Sequence, residues 1–139
     1  MDQQAMIVDL DLIDRDHRML RELIDRLQDA LTKGCAEDEV QSRRTALSAH
    51  LDAHMEFEEG LMLQRKYPLA FSHAQEHKSF REQFALVLDG VSSRSVSRDN
   101  VAKLLTKIHD HHVTYSDAIF CHYLIDKYSL QIVADGAGI

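Results

Sequence analysis

Four stretches of this chain repeat apolar residues at alternating steps of three and four, and every stretch is broken by histidine or a carboxylate. The first seam reads Leu10, Ile13, His17, Leu20, Ile24, Leu27 and Leu31. The second reads Val40, Arg44, Leu47, Leu51, His54, Glu58 and Leu61, and the third His73, His77, Phe80, Phe84 and Val87. The fourth reads Val101, Leu105, Ile108, His112, Tyr115 and Ile119. That period is the signature of one buried stripe on an α-helix. No segment competes with a period of two. The expected fold is therefore all-α: an up-down-up-down antiparallel four-helix bundle with a metal site in its core.

The boundaries follow from local signals. Gly34 stops the first helix. Asp38 reads as an N-cap, with Gln41 three residues on completing a capping box. Pro68 disfavours helical geometry at Tyr67 and ends the second helix. Asp89-Gly90 and Ser92 to Ser97 read as the next connection, with Ser97 capping the last helix. The helices are expected over about 10–33, 38–66, 69–89 and 97–128 of the 139 residues, in a single domain 1–139.

A formal net charge of −7 argues against nucleic acid, whose binders need a basic face for phosphates. No apolar run reaches the length of a membrane span, and the N-terminus lacks a basic-then-apolar leader pattern. The reading is a cytoplasmic protein with no membrane or nucleic-acid partner. Cys35 and Cys121 lie far apart in no metal-like spacing. They read as reduced thiols, with a redox-sensing Cys35 in an exposed loop as the alternative.

A single seam histidine is ordinarily a hydrogen-bonded core residue, and a single seam glutamate reaches water. All four helices carrying such residues is a different matter, because burying unpartnered imidazoles and carboxylates costs kilocalories per group. Metal ions offer a common explanation, since neutral imidazole is the commonest protein metal ligand. Residues four apart on a helix lie about 6 Å apart on one face. His54/Glu58 and His73/His77 can thus each aim two ligands at one centre. Zinc and iron both suit imidazole.

The ordered motifs Asp14-x-x-His17, His54-x-x-x-Glu58-Glu59-x-Leu61-Met62, Tyr67-Pro68, His73-x-x-x-His77-x-x-Phe80 and His112-x-x-x-x-Asp117 resemble the hemerythrin family. The likeness runs over about residues 10–128. It implies two iron ions bridged by an oxo or hydroxo group and two carboxylates, with dioxygen as ligand. By that resemblance His17 and His54 hold one iron, His73, His77 and His112 the other, and Glu58 and Asp117 bridge. The iron with two histidines keeps an open position, where family members take up dioxygen and release it unchanged.

The resemblance implies reversible dioxygen binding for storage, delivery or sensing. The alternatives are a redox protein reactive with peroxide or nitric oxide, and an oxygen-sensing module acting on a signalling partner. Ferritin-like di-iron enzymes use Glu-x-x-His motifs, and none occurs in this chain. That favours binding over catalysis, with a weak peroxidase-like activity left open.

Leu20, His50, Met55, His109 and Val113 are the candidates for the oxygen pocket or the residues just behind it, and His50, one turn before His54, either hydrogen-bonds near the site or sits at its boundary. His109 stands where family members commonly carry Leu, and Met55 where they carry Phe. His109 either faces bound oxygen, as a proton donor that hastens autoxidation, or turns to solvent. His111 and His122 read as solvent-facing. One difficulty remains in the fourth helix. Five residues of regular α-helix rotate by about 140°, so Asp117 would point away from His112. A π-bulge between them would realign the two.

Overall fold

The computed structural model describes residues 3–92 and 100–137. These form helices α1 (Gln3–Thr32), α2 (Glu37–Gln64), α3 (Ala70–Ser92) and α4 (Val101–His111), a π-helical segment (His112–Asp117), and α5 (Ala118–Ala137). There is no strand among the described residues. α1 packs on α2, α2 on α3, α3 on α4, and α1 also on α4 and α5. The result is a helical bundle. None of its described helices is long and apolar enough to cross a membrane.

The seams on α1 to α3 do what their spacing dictates. Ile13, Leu20, Ile24, Leu27 and Leu31 of α1 are buried, as are Val40, Leu47, Leu51 and Leu61 of α2 and Phe80 and Phe84 of α3. Burying side chains of this size contributes roughly 1.5–3 kcal/mol each. Arg44, placed on the α2 seam by spacing, sits at its edge and pairs with Asp89 at 2.8 Å.

Two helix ends show how the turns are made. Cys35 N–H donates to the carbonyl of Ala30 at 2.9 Å and Gly34 N–H to that of Leu31 at 3.3 Å, with Gly34 at φ +65°. This is a Schellman stop, and it needs a residue in the left-handed region. α2 ends in the same way without a glycine. Tyr67 N–H donates to Met62 at 2.9 Å and Lys66 N–H to Leu63 at 3.1 Å, while Lys66 takes φ +56°. The Tyr123 hydroxyl and the Lys127 ammonium then donate to the freed carbonyl of Arg65 at 2.8 and 2.7 Å.

Several sequence expectations are corrected. α1 begins at Gln3, not near residue 10, and α5 runs on to Ala137, past 128. α3 continues through Asp89-Gly90 to Ser92 instead of ending at 89. Asp38 does not cap α2: Ala36 is the N-cap and makes no side-chain bond. Glu37, Asp38 and Glu39 instead fill the first turn, where negative charge opposes the positive end of the helix dipole. Cys35 is not in an exposed loop but is partly buried against the core. The expected cap Ser97 and the side chain of Tyr115 lie outside the described residues.

The core is divided. One apolar cluster contains Leu20, Leu51, Phe80 and Leu105 among others. The second contains Ile13, Leu61, Met62, Tyr67, Phe120 and Leu124. Each helical stretch passes from one cluster to the other, and the seam histidines and carboxylates lie between them.

Candidate metal centre

On α1 the interval between the two clusters holds His17; on α2 it holds His54 and Glu58. On α3 it holds His73 and His77. In each case the polar residue takes a core position because the helical period puts it there. The last stretch needs the π-helical segment. Bonding from i to i+5 widens the turn, so His112 and Asp117 come to one centre although five residues separate them. The extra residue also shifts the phase of everything that follows. Phe120 and Leu124 are fully buried, while Ile119, expected on the seam, is 53% exposed. Ser116, inside the widened turn, donates to a carboxylate oxygen of Glu76 on α3.

Seven side chains meet at this level. His17 Nε2 lies 2.8 Å from Asp117 Oδ2, and His54 Nε2 3.2 Å from Glu58 Oε2. His73 Nε2 lies 2.8 Å from Glu58 Oε1 and 3.0 Å from Asp117 Oδ1. His77 Nε2 is 3.2 Å from Glu58 Oε1, and His112 Nε2 3.0 Å from Asp117 Oδ1. These contacts are close, yet most are too badly aligned to be hydrogen bonds. Nε2 of His17, His54, His77 and His112, and both Asp117 oxygens, are buried with no hydrogen-bond partner. Buried polar atoms seldom go unpartnered. Here they point past one another at shared centres.

The donors fall into two groups. Glu58, His73, His77, His112 and Asp117 offer atoms all within 4.8 Å of one another, and so do His17, His54, Glu58 and Asp117. The two carboxylates belong to both. Imidazole nitrogen with carboxylate oxygen suits a transition metal or zinc, so the donor chemistry fits a pair of cations that share Glu58 and Asp117.

The protonation pattern is that of a site built for positive charge. Burial works against the Glu58 carboxylate, but the close imidazoles of His54, His73 and His77 outweigh it and hold the group at about 2. Asp117 is likewise lowered: burial opposes, and the close imidazoles of His112, His17 and His73 prevail. Burial also works against the His73 imidazolium, yet the close carboxylates of Asp117 and Glu58 raise it to about 9.

Outside the seven, carboxylates orient the imidazoles. Asp16 Oδ2 lies 3.0 Å from His54 Nδ1, and Glu59 Oε2 3.3 Å from His77 Nδ1. The first is a hydrogen bond, which fixes the tautomer of His54 and leaves its Nε2 bare for a metal; the second is an ion-pair contact, and His77 Nδ1 makes no hydrogen bond. Glu59 is in turn approached by Arg81 at 3.5 Å. Sequence spacing did not assign these carboxylates. The signal was adjacency, since Asp16 precedes His17 and Glu59 follows Glu58.

The pocket candidates divide. Leu20 and Met55 are buried together in the first apolar cluster, beside His17 and His54 in sequence. Val113 is only partly buried. His50 does not enter the centre; its Nε2 lies 3.3 Å from the Asp16 carbonyl and ties α2 to α1. His109 does not turn to solvent: it is 6% exposed, and its ring stands edge-on to His17 at 6.1 Å. Burial lowers its pKa, with Asp110 opposing and His17 adding to the fall. His111 and His122 are exposed.

The family model described as Hemerythrin HHE cation binding domain matches residues 8–124. No curated protein and no solved structure matches the chain.

Proposed function

Since the chain belongs to the hemerythrin HHE cation-binding family, we propose that it is a non-haem di-iron protein that binds dioxygen reversibly. The bundle is read as one domain with up-down-up-down antiparallel topology. The alternating order of the two apolar clusters along successive helices supports this. His17 and His54 are assigned to one iron and His73, His77 and His112 to the other, with Glu58 and Asp117 bridging. The observation that carries the assignment is the set of buried, unpartnered donor atoms in two groups that share both carboxylates.

A ferrous pair held by these seven residues would supply the electrons that hold dioxygen. The protein's part is to orient and to exclude water. Asp16 sets the tautomer of His54, and Glu59 places a negative charge beside Nδ1 of His77. Leu20 and Met55 keep the two-histidine side dry, which slows loss of reduced oxygen. The side with three imidazoles offers five protein donors and the side with two offers four, which supports an outside ligand on the second. A cytoplasmic setting goes with this reading, and Cys35 and Cys121 are free.

The test is optical. Iron-loaded protein is reduced anaerobically, exposed to O2, and then purged. A ligand-to-metal charge-transfer band that comes and goes supports reversible binding. Irreversible conversion to the diferric spectrum favours the redox alternative, for which the buried His109 is the specific observation.

A further inference from the structure

His54 shows a pattern: a carboxylate hydrogen-bonded at Nδ1 and a bare, buried, unpartnered Nε2. One more histidine in the described residues has it. His109 Nδ1 lies 3.2 Å from Asp110 Oδ1. Its Nε2 is buried with no hydrogen-bond partner. The orienting carboxylate is itself held, because Arg21 of α1 donates to Asp110 at 3.2 Å. The ring is thus clamped from outside by α1 and α4.

His109 nevertheless lies outside both donor groups. Its ring is 6.1 Å from that of His17, whereas His17 and His54 stand 5.0 Å apart. Imidazoles assigned to the other group are 4.5–5.1 Å apart. His109 therefore stands further from His17 than His54 does, beside the two-histidine group but not in it.

The tautomer decides how it meets an outside ligand. A neutral imidazole has one N–H. With that N–H given to Asp110, Nε2 presents a lone pair. We propose that His109 is a hydrogen-bond acceptor for the small-molecule ligand of the His17/His54 side, selecting ligands that carry a proton, such as water or hydroxide, over anions that can only accept. This rests on the di-iron reading and deepens it. It also reverses the sequence expectation that His109 donates a proton.

Azide is the probe, because it is an anion with no proton to give. Its affinity for the diferric protein is read from its charge-transfer band, and iron is counted in every sample. His109→Leu removes the lone pair, and azide is expected to bind at least fivefold more tightly than to the unaltered protein. Unchanged or weaker azide binding, with the iron pair present, overturns the inference and leaves the di-iron reading standing. Failure of the unaltered protein to hold two irons overturns both. A second measurement is independent of iron. In zinc-loaded, 15N-labelled protein, His109 Nε2 is expected at the shift of an unprotonated nitrogen, and Asp110→Asn is expected to move it toward the protonated one. A protonated Nε2 in the unaltered protein sinks the proposal.

Discussion

Glu58 and Asp117 serve two unlike halves. On one side His73, His77 and His112 are 3%, 0% and 6% exposed and pack ring against ring, with Phe80 over His112 at 5.2 Å. On the other side stand His17, with 12% of its side chain exposed, and His54. His109 stands beside them, its ring edge-on to His17 at 6.1 Å. The first half is deeply buried, with a surface cavity reaching Phe80 and His112. The second has four protein donors against five, one imidazole fewer, with the polar His109 beside it. The difference in donor number makes the second half the one expected to exchange a ligand when both hold an ion.

The largest effect should come from breaking what the halves share. Glu58→Gln keeps the shape but removes the bridging charge, and it is expected to cost both metals. His77→Ala and His54→Ala should each cost the metal of one half. Metal analysis reads this directly, and equal losses from all three variants would mean that the halves are not separable. Loss of a metal held at a thousand times its dissociation constant costs about 4 kcal/mol. For a chain of this size that is roughly a 15 °C fall in melting temperature.

Stripping the metal should invert the response to pH. His73 is raised to about 9. Its contribution to the stability of metal-free protein is fully present below the ordinary histidine value and lost as pH rises through 9. Glu58 is held at about 2, so its contribution is present above the ordinary glutamate range and lost as pH falls through 2. Metal-free protein should therefore be most stable between about pH 4.5 and 6.5. Metal-loaded protein should gain from pH 6 to 8 instead, because ligation needs deprotonated imidazoles. Parallel melting curves across that range check this, and curves of the same slope for both forms would refute it.

The outer carboxylates should give a smaller effect, confined to one half. Asp16→Ala acts on His54 and Glu59→Ala on His77, and each is expected to weaken its own metal by ten- to a hundredfold. Competition with a chelator measures it. If Asp16→Ala weakens both metals alike, the halves are more tightly coupled than their separate donor groups suggest.

Much of this was legible in the sequence, and the reasons differ by residue. The seams of α1 to α3 were readable because the helical period there is uninterrupted from end to end. The π-helical segment was readable from a conflict, since His112 and Asp117 cannot share a face of a regular helix. Its consequence downstream was missed: Ile119 was placed on the seam that Phe120 and Leu124 occupy, because the phase was carried through the widened turn unchanged. The end of α3 was misplaced because Asp-Gly usually breaks a helix, and here packing keeps it helical through Gly90. The roles of Asp16 and Asp110 were not readable, because a carboxylate beside a seam histidine looks like any solvated helix residue until the partner helix is in place.

The smallest change should touch neither half. Lys66 holds φ +56° at the end of α2, a conformation that costs an L side chain roughly 1–2 kcal/mol. Glycine takes it freely, but it gives back part of that gain, about 0.4–1 kcal/mol, through the looser unfolded chain. The carbonyls of Arg65 and Lys66 stay available to the Tyr123 hydroxyl at 2.8 and 3.0 Å, since neither bond involves the Lys66 side chain. Lys66→Gly is therefore expected to stabilise by about 0.5–1 kcal/mol, a rise of roughly 2–4 °C, with the metal content of both halves unaltered. A change in metal content would mean that the turn at Pro68 sets the distance between His54/Glu58 and His73/His77, and that this turn is not merely the place where the chain reverses.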